Sequence, residues 1–352
     1  MKILQDLNLE ELKNLINSYN EKPFRALQIF SALHSGTKIS EISTISKTLR
    51  ERLLEEYVDE PVKVIKTLVS KDGTEKYLFK LFDGNIIEGV YMKNRYGNTE
   101  CLSTQVGCRM GCKFCASGIG GLVRNLTPGE MLATVAAVNK LGGGNLNKRA
   151  VTNIVLMGSG EPLDNYDNVI KFLKLVSAKE GLNVSLRNIS LSTCGIVPKM
   201  ISLAEENLPV NLTVSLHQPF NDKRKELMPI SKVYSVEEIL KACDYYFEKT
   251  GRRFIFEYSL VKGENDDVES ANELIRLLKH RPCHVNIIRL NEVKENNLKA
   301  TTDKQAYAFC AQLEKGGLSA TVRRLNGADI EGACGQLRRS YEKGEELWKT
   351  LK

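Results

Sequence analysis

Cys108, Cys112 and Cys115 form a Cys-x3-Cys-x2-Cys run, the most chemically pointed feature of the chain. Thiolates from one short loop suit an iron–sulfur cluster. Three ligands on a four-iron cluster leave one iron open, and that iron can chelate a small molecule. Zinc is the rival reading, but a structural zinc site needs a fourth Cys or His nearby, and this loop offers none. Chance clustering of buried cysteines is the remaining alternative. Phe114 precedes the last cysteine, and Gly107 and Gly111 let the backbone turn tightly around the run.

Further polar residues fall where strands are expected to end. Gly158-Ser159-Gly160-Glu161-Pro162 follows one strand, Ser192-Thr193 closes a second, Ser215-Leu216-His217 a third, and Asn291 follows a fourth. In parallel β/α architectures ligands bind at the carboxyl ends of strands. Glycines there allow close backbone approach, and Glu161 can accept from an ammonium group. Alternation puts Ser215 and His217 on one face. Each is individually a common loop cap; their recurrence on four strands at the cysteine end gives them weight.

These residues need a scaffold. Residues 1–60 carry helical spacing, with Leu12, Leu15 and Ile16, then Ile29 and Leu33, then Leu49, Leu53 and Leu54. Residues 61–98 switch to alternation in VKVIKTLVS, KYLFKLFDG and IIEGVYM, with Asp72-Gly73 and Asp83-Gly84 as turns. From there strands are expected at 101–106, 153–158, 188–193, 210–216, 254–261 and 284–290. Helices are expected at 129–140, 166–178, 198–207, 235–249, 267–280 and 303–315. Six β–α units predict an α/β fold, a partial (β/α)6 TIM-type barrel over 99–326. A small N-terminal helical accessory domain (1–60) and a β-hairpin connector (61–98) precede it, and a segment over 327–352 follows.

Hydrophobic residues make up 42% and charged residues 26% of the 352, as in an ordinary globular protein. No run is long and apolar enough to span a membrane, and the amphipathic N-terminus lacks the parts of a signal peptide. The expected location is the cytoplasm. Nine cysteines there are not expected to form structural disulfides. Fifty basic against 43 acidic side chains give a formal charge of +7, compatible with an RNA partner and equally with a mildly basic metabolic enzyme.

The Cys-x3-Cys-x2-Cys run with its aromatic residue resembles the radical S-adenosylmethionine (SAM) superfamily. The resemblance implies a [4Fe–4S] cluster whose open iron holds SAM and whose electron cleaves it to a 5′-deoxyadenosyl radical. More narrowly, ECLSTQVGCRMGCKFCASGIGGLVRNLTPGE, GSGEPLDNYDNV, LSTCGIVP, VSLHQPFNDKRKELMPI and ADIEGACGQLRR, in that order, resemble the RNA adenosine methyltransferases of the RlmN and Cfr type. That family implies methylation of an adenine in 23S rRNA, in its peptidyl-transferase region, and in some tRNAs of the adenine beside the anticodon. It places SAM contacts on Gly160, Glu161, Ser192, Ser215, His217 and Asn291, and cluster ligands on Cys108, Cys112 and Cys115. It also implies a one-electron donor such as flavodoxin or ferredoxin. The chain is expected to act as a monomer.

The same resemblance makes Cys101 and Cys334 a catalytic pair and Glu88 a proton acceptor. Carbon C2 of adenine is too poor a nucleophile to attack SAM, so the family takes an indirect route. Cys334 receives a methyl group from one SAM, and a radical from a second SAM removes a hydrogen from it. The resulting carbon adds to adenine, giving a covalent protein–RNA adduct. Loss of the ring proton and attack by Cys101 release the product and leave a transient disulfide. From the residues alone, Cys101 reads as a buried strand cysteine and Glu88 as a solvated connector carboxylate. Small neighbours Gly332, Ala333 and Gly335 favour an exposed thiol at Cys334 over a small buried hydrophobe. Methylation at C8, as in Cfr-type relatives, a radical SAM activator or maturase, and a non-catalytic RNA-binding cluster protein stay open as alternatives.

Two positions depart from the family pattern: Cys194, where a small hydroxyl or apolar residue is usual, and the run after Asn291, where Pro is usual. Cys194, Cys243, Cys283 and Cys310 fit helix or strand interiors and receive no role. Candidate phosphate contacts are Arg124, Lys223, Arg224, Lys225, Arg323, Arg324, Arg338 and Arg339. The target adenine must leave its stack to be reached, and the N-terminal module is expected to read the RNA's folded shape.

Overall fold

Alternation in the connector becomes three antiparallel strands, β1 (Val62–Val69), β2 (Glu75–Leu81) and β3 (Ile86–Met92). The Asp side chains of both turns cap the chain two residues on. Asp72 Oδ1 accepts from Thr74 N at 2.9 Å and Asp83 Oδ1 from Asn85 N at 3.0 Å. β3 pairs antiparallel with β4 (Thr99–Cys101), which begins the parallel sheet. In this computed structural model residues 1–292 and 296–330 are described.

The expected first barrel strand, 101–106, is broken in two. Thr104 N and Gln105 N both donate to Ser159 O, at 2.8 and 3.1 Å, and Ser103 Oγ donates to Glu88 O at 2.7 Å. These bonds draw the chain out of the ladder after Cys101. Gln105–Gly107 (β5) instead pairs antiparallel with Leu122–Asn125 (β6), and this hairpin brackets the three-cysteine loop. Gly107 makes it possible: its φ is +80°, and a Cβ there would lie 2.1 Å from Gly121 O.

The remaining parallel strands are β7 (Asn153–Leu156), β8 (Ile189–Thr193), β9 (Asn211–Ser215), β10 (Phe254–Leu260), β11 (Cys283–Arg289) and β12 (Ala320–Val322). The sheet runs β1-β2-β3-β4-β7-β8-β9-β10-β11-β12, so connector and barrel share one sheet. β12 extends the six expected strands; three residues carry too little alternation to announce it.

The N-terminal helices are α1 (Leu9–Ser18), α2 (Phe24–His34) and α3 (Lys47–Glu56). Barrel helices α4 (Pro128–Leu141), α5 (Tyr166–Val176) and α6 (Val197–Glu205) lie close to their expected places. α7 (Asn221–Leu227) was not expected; α8 (Val236–Thr250), α9 (Val268–Leu278) and α10 (Asp303–Lys315) were. Capping boxes explain three of the starts: Asn8 with Glu11, Thr127 with Glu130, and Ser235 with Glu238.

One continuous apolar core joins Leu12, Ile16, Ile29 and Leu33 of the N-terminal helices to Leu132 and Val135 of α4. Polar ties reinforce the junction. Gly129 N donates to Asp6 Oδ1 at 2.7 Å, and Leu182 N donates to Nδ1 of buried His34 at 3.2 Å. No described helix is long and apolar enough to cross a membrane.

Candidate active site

Strand polarity gathers the predicted residues into one cavity of about 260 Å³. Cys108, Cys112 and Cys115 form one side. Gly160, Glu161, Ser192, Ser215, His217 and Asn291 line the rest, at or just beyond the carboxyl ends of β7, β8, β9 and β11. The structure thus brings together nine residues that the sequence spreads over 184 positions, from Cys108 to Asn291.

The cysteine loop is held from several sides. Cys108 N donates to Gly121 O at 3.0 Å, Cys115 N to Cys112 O at 3.1 Å, and Lys113 N to Leu227 O at 2.9 Å. Burial pushes the Cys108 thiol up to about 12, with the negative charges of Cys115, Glu161 and Asp164 adding to it; the Cys112 thiol moves the same way. These groups become thiolates only beside a strong cation, which is what bound iron supplies. Among the described residues no three His, Cys, Asp or Glu side chains converge as one metal ion requires. A cubane makes a different demand, since each thiolate holds its own iron.

The opposite wall is built for close approach. Gly160 has φ +110°, and a Cβ there would lie 2.7 Å from Gln105 Cβ. Glu161 N donates to Gln105 Oε1 at 2.9 Å. The Glu161 carboxylate accepts from Leu163 N at 3.0 Å and Cys194 N at 2.7 Å, with the Thr193 hydroxyl and Cys194 thiol beside it, and its lone pairs make it an acceptor for a ligand ammonium. His217 adopts φ +55°. Its Nδ1 accepts from Ser259 N at 2.9 Å, which puts the proton of the neutral ring on Nε2. Burial, helped by the charge of Arg224, lowers the imidazole to about 3. Phe114 meets the same ring edge-on at 4.8 Å. The donor set and the polar cavity beside it fit a three-thiolate cluster with a chelated zwitterion. Cys108, Cys112 and Cys115 would hold the cluster, and the glycine backbone, Glu161 and the strand-end polar groups would hold the ligand.

Glu88 and Cys101 share one face of the sheet. Cys101 pairs with Val90 across β3 and β4, so alternation places Glu88 two residues further along the same side. Glu88 is buried rather than solvated, and its carboxylate lies 3.2 Å from Lys76 Nζ. Cys101 packs with Val90, Met92, Val155 and Met157, and Met157 also lines the cavity.

After β12 the chain runs from one edge of the sheet to the turn between β1 and β2 at the other. Arg323 Nη1 lies 3.2 Å from Glu257 Oε1 and 3.8 Å from Met157 Sδ. Asn326 Nδ2 approaches Met92 Sδ at 3.3 Å, and Gly327 N donates to Asp72 Oδ2 at 2.9 Å. Ser70 Oγ and Lys71 N donate to Asp329, and Ile330 packs on Leu68 and Leu78. Cys334, Arg338 and Arg339 lie outside the described residues.

Several basic residues expected at phosphates have partners within the protein. Arg124 is bidentate to Glu130, both bonds at 2.8 Å, and bonds Asp83 at 2.6 Å, locking the β5–β6 hairpin to α4 and the connector. Arg224 is fully buried, so it is no surface contact. Lys223, Lys225 and Arg324 are exposed. Cys194 is not a strand-interior residue: it follows β8 and lines the cavity. Glu257 also lines the cavity and was missed; a lone carboxylate inside FIFEYSL was its signal. Phe254, Phe256 and Tyr258 alternate with it toward the helices.

A parallel α/β barrel with a three-cysteine loop at the carboxyl ends of its strands defines the radical SAM class. Residues 102–275 match the radical SAM superfamily, and residues 3–58 match the ribosomal RNA large subunit methyltransferase N-terminal domain. A Clostridium perfringens protein named "Probable dual-specificity RNA methyltransferase RlmN" is 53% identical over 350 residues, 99% of each chain. A Clostridium novyi protein of the same name is 50% identical over 344 residues, 97% of this chain and 99% of its own. A crystal structure of a radical SAM methyltransferase from Sphaerobacter thermophilus superposes with a TM-score of 0.91 at 39% identity, covering 96% of this chain and 99% of that one. The chain belongs to the RlmN family of radical SAM methyltransferases, a membership that implies a [4Fe–4S] cluster and SAM.

Proposed function

We propose that this protein methylates carbon C2 of a specific adenine in 23S rRNA, in the peptidyl-transferase region, and of the adenine beside the anticodon in some tRNAs. The names of its relatives support an RNA methyltransferase of dual specificity. When bound, the cluster and SAM would supply a carbon-centred radical at the cavity. The chain's own residues do the rest. Cys334 carries the methyl group and becomes the point of attachment to RNA. Glu88 takes the ring proton. Cys101 attacks Cys334 sulfur, releases the product and leaves a disulfide that an external thiol reduces. Two SAM are consumed per turnover, and a flavodoxin- or ferredoxin-type donor provides the electron.

The observation that carries this reading is the shared face of Glu88 and Cys101, beside the cavity and beside Ile330, four positions before Cys334. In this reading residues 1–60 are the RNA-binding accessory domain, 61–98 the connector, 99–326 the barrel and 327–352 the segment that presents Cys334. The enzyme works as a cytoplasmic monomer.

Mass spectrometry of anaerobically purified protein incubated with SAM tests it. A methyl group on Cys334 and 2-methyladenosine in digested 23S rRNA are the expected results. An unmethylated Cys334, or 8-methyladenosine as the sole product, overturns the reading.

A further inference from the structure

Arg224 looks like the middle of a surface run, Lys-Arg-Lys, and its two neighbours are exposed. Arg224 itself is 0% exposed. The helix α7 turns it inward, beneath the cysteine loop. There Leu227 and Met228 pack against Cys112 and Phe114, and Leu227 O accepts from Lys113 N at 2.9 Å.

Four of the five N–H groups of the guanidinium have acceptors within the protein. Nε donates to Leu216 O at 2.9 Å, Nη1 to Ser231 Oγ at 2.6 Å, and Nη2 to Cys194 O and Ser215 O, both at 2.9 Å. All four acceptors are neutral. Among the described residues the ionisable groups that interact with Arg224 are the thiols of Cys194 and Cys112, and no carboxylate forms an ion pair with it. Four hydrogen bonds to neutral acceptors leave the charge uncompensated, and a buried charge is costly unless paired. A guanidinium cannot escape by losing its proton at neutral pH. Cys112 and Cys194 line the cavity, so an anion bound there would lie on the far side of these residues from the guanidinium and could serve as its partner.

We propose that Arg224 is the fixed counter-charge of the iron–sulfur cluster and raises its reduction potential. This rests on the three-cysteine cluster reading. An oxidised [4Fe–4S]2+ core with three thiolates carries a net charge of −1. It takes one electron from the external donor and becomes −2, with no proton moved. A fixed positive charge in a dry site favours the more negative state, since net charge and burial are among the determinants of cluster potential. The four hydrogen bonds aim that charge and also pin the ends of β8 and β9, where Cys194, Ser215 and His217 meet the cavity.

Dithionite titration of the anaerobically reconstituted full chain, followed by the EPR signal of the reduced cluster without SAM, reads the effect. Iron and sulfide analysis confirms loading. Arg224→Met should lower the ratio of reduced to oxidised cluster at a set potential at least tenfold, a shift of about 59 mV for one electron. Ser231→Asp, which puts a carboxylate against Nη1 while keeping the arginine, should do the same. Arg224→Lys keeps the charge and should change the ratio less than threefold. Loading in the Lys variant but in neither charge-neutralised variant also supports the proposal. An unshifted potential in a fully loaded Met or Asp variant overturns it, and so does a Lys variant that shifts as far as Met or fails to load. Wild-type protein that takes up no cluster would instead defeat the reading beneath the proposal.

Discussion

Lys76 Nζ lies 3.2 Å from Glu88 Oε2 on neighbouring strands, with side chains 0% and 6% exposed. The register pairs Lys76 with Val90 and Glu88 with Leu78, so the two charges meet on a diagonal of one face. That face also carries Cys101. The proposed base is therefore held in place by a buried ammonium group rather than left in solvent.

Removing one member of a buried pair strands the other. Lys76→Met should destabilise the protein by about 3–5 kcal/mol. The double variant Lys76→Met with Glu88→Leu should recover most of that loss. Urea unfolding of the three proteins checks the order, and a double variant less stable than the single would contradict it. Glu88→Gln should leave Cys334 methylation intact while trapping a protein–RNA adduct, visible as a mass shift on denaturing gels.

The strap that precedes Cys334 hangs on two carboxylates. Asp72 is held well below its ordinary value, chiefly by the Gly327 and Thr74 amides, and Asp329 is lowered by Ser70 and Lys71. A depressed carboxylate keeps its full contribution above the unfolded value, near 3.9, and loses it as pH falls further. The attachment should therefore be constant from neutral pH to about 4 and loosen below that. At pH 7, Asp72→Ala should speed hydrogen exchange at the Gly327 amide at least tenfold relative to wild type. It should also slow Cys101–Cys334 disulfide formation. An unchanged exchange rate would show that the bond does not anchor the strap.

Gly160 has no room for a side chain. Its left-handed φ costs an alanine about 1–2 kcal/mol, and the Cβ would also press on Gln105, whose side chain supports Glu161 N. Gly160→Ala should weaken SAM binding at least tenfold in equilibrium dialysis of the cluster-loaded protein, with cluster absorbance retained. Binding at wild-type strength would remove Gly160 from the ligand wall.

His34 gives the junction between the N-terminal helices and the barrel a pH dependence. Burial lowers its imidazole from 6.5 to about 3, and Nδ1 accepts from Leu182 N. The unfolded chain takes up the proton first as pH falls, so the contribution is full above about 6.5 and is lost progressively toward 3. At pH 5 the loss is about 2 kcal/mol. His34→Gln should flatten that part of the stability curve between pH 7 and 5 in urea titrations, while buried His217, also lowered to about 3, keeps its own contribution in both proteins. Parallel curves would rule out His34 as the source.

Local chemistry is what the sequence by itself determined. Cysteine spacing, glycines at strand ends and capping pairs such as Thr127 with Glu130 act within a few residues, so their meaning survives without a fold. Once the strands were recognised as parallel, their carboxyl ends had to converge, and the cavity residues followed. The three-dimensional arrangement decided what depends on burial and on partners far along the chain. Glu88 reads as a solvated carboxylate until Lys76 and the β3–β4 register enclose it. Arg224 cannot be told from Lys223 and Lys225 until the pitch of α7 turns it under Cys112. Charge, unlike hydrophobic period, carries no local sign of which way it faces; only packing, which makes an unpaired buried charge costly, assigns it a partner.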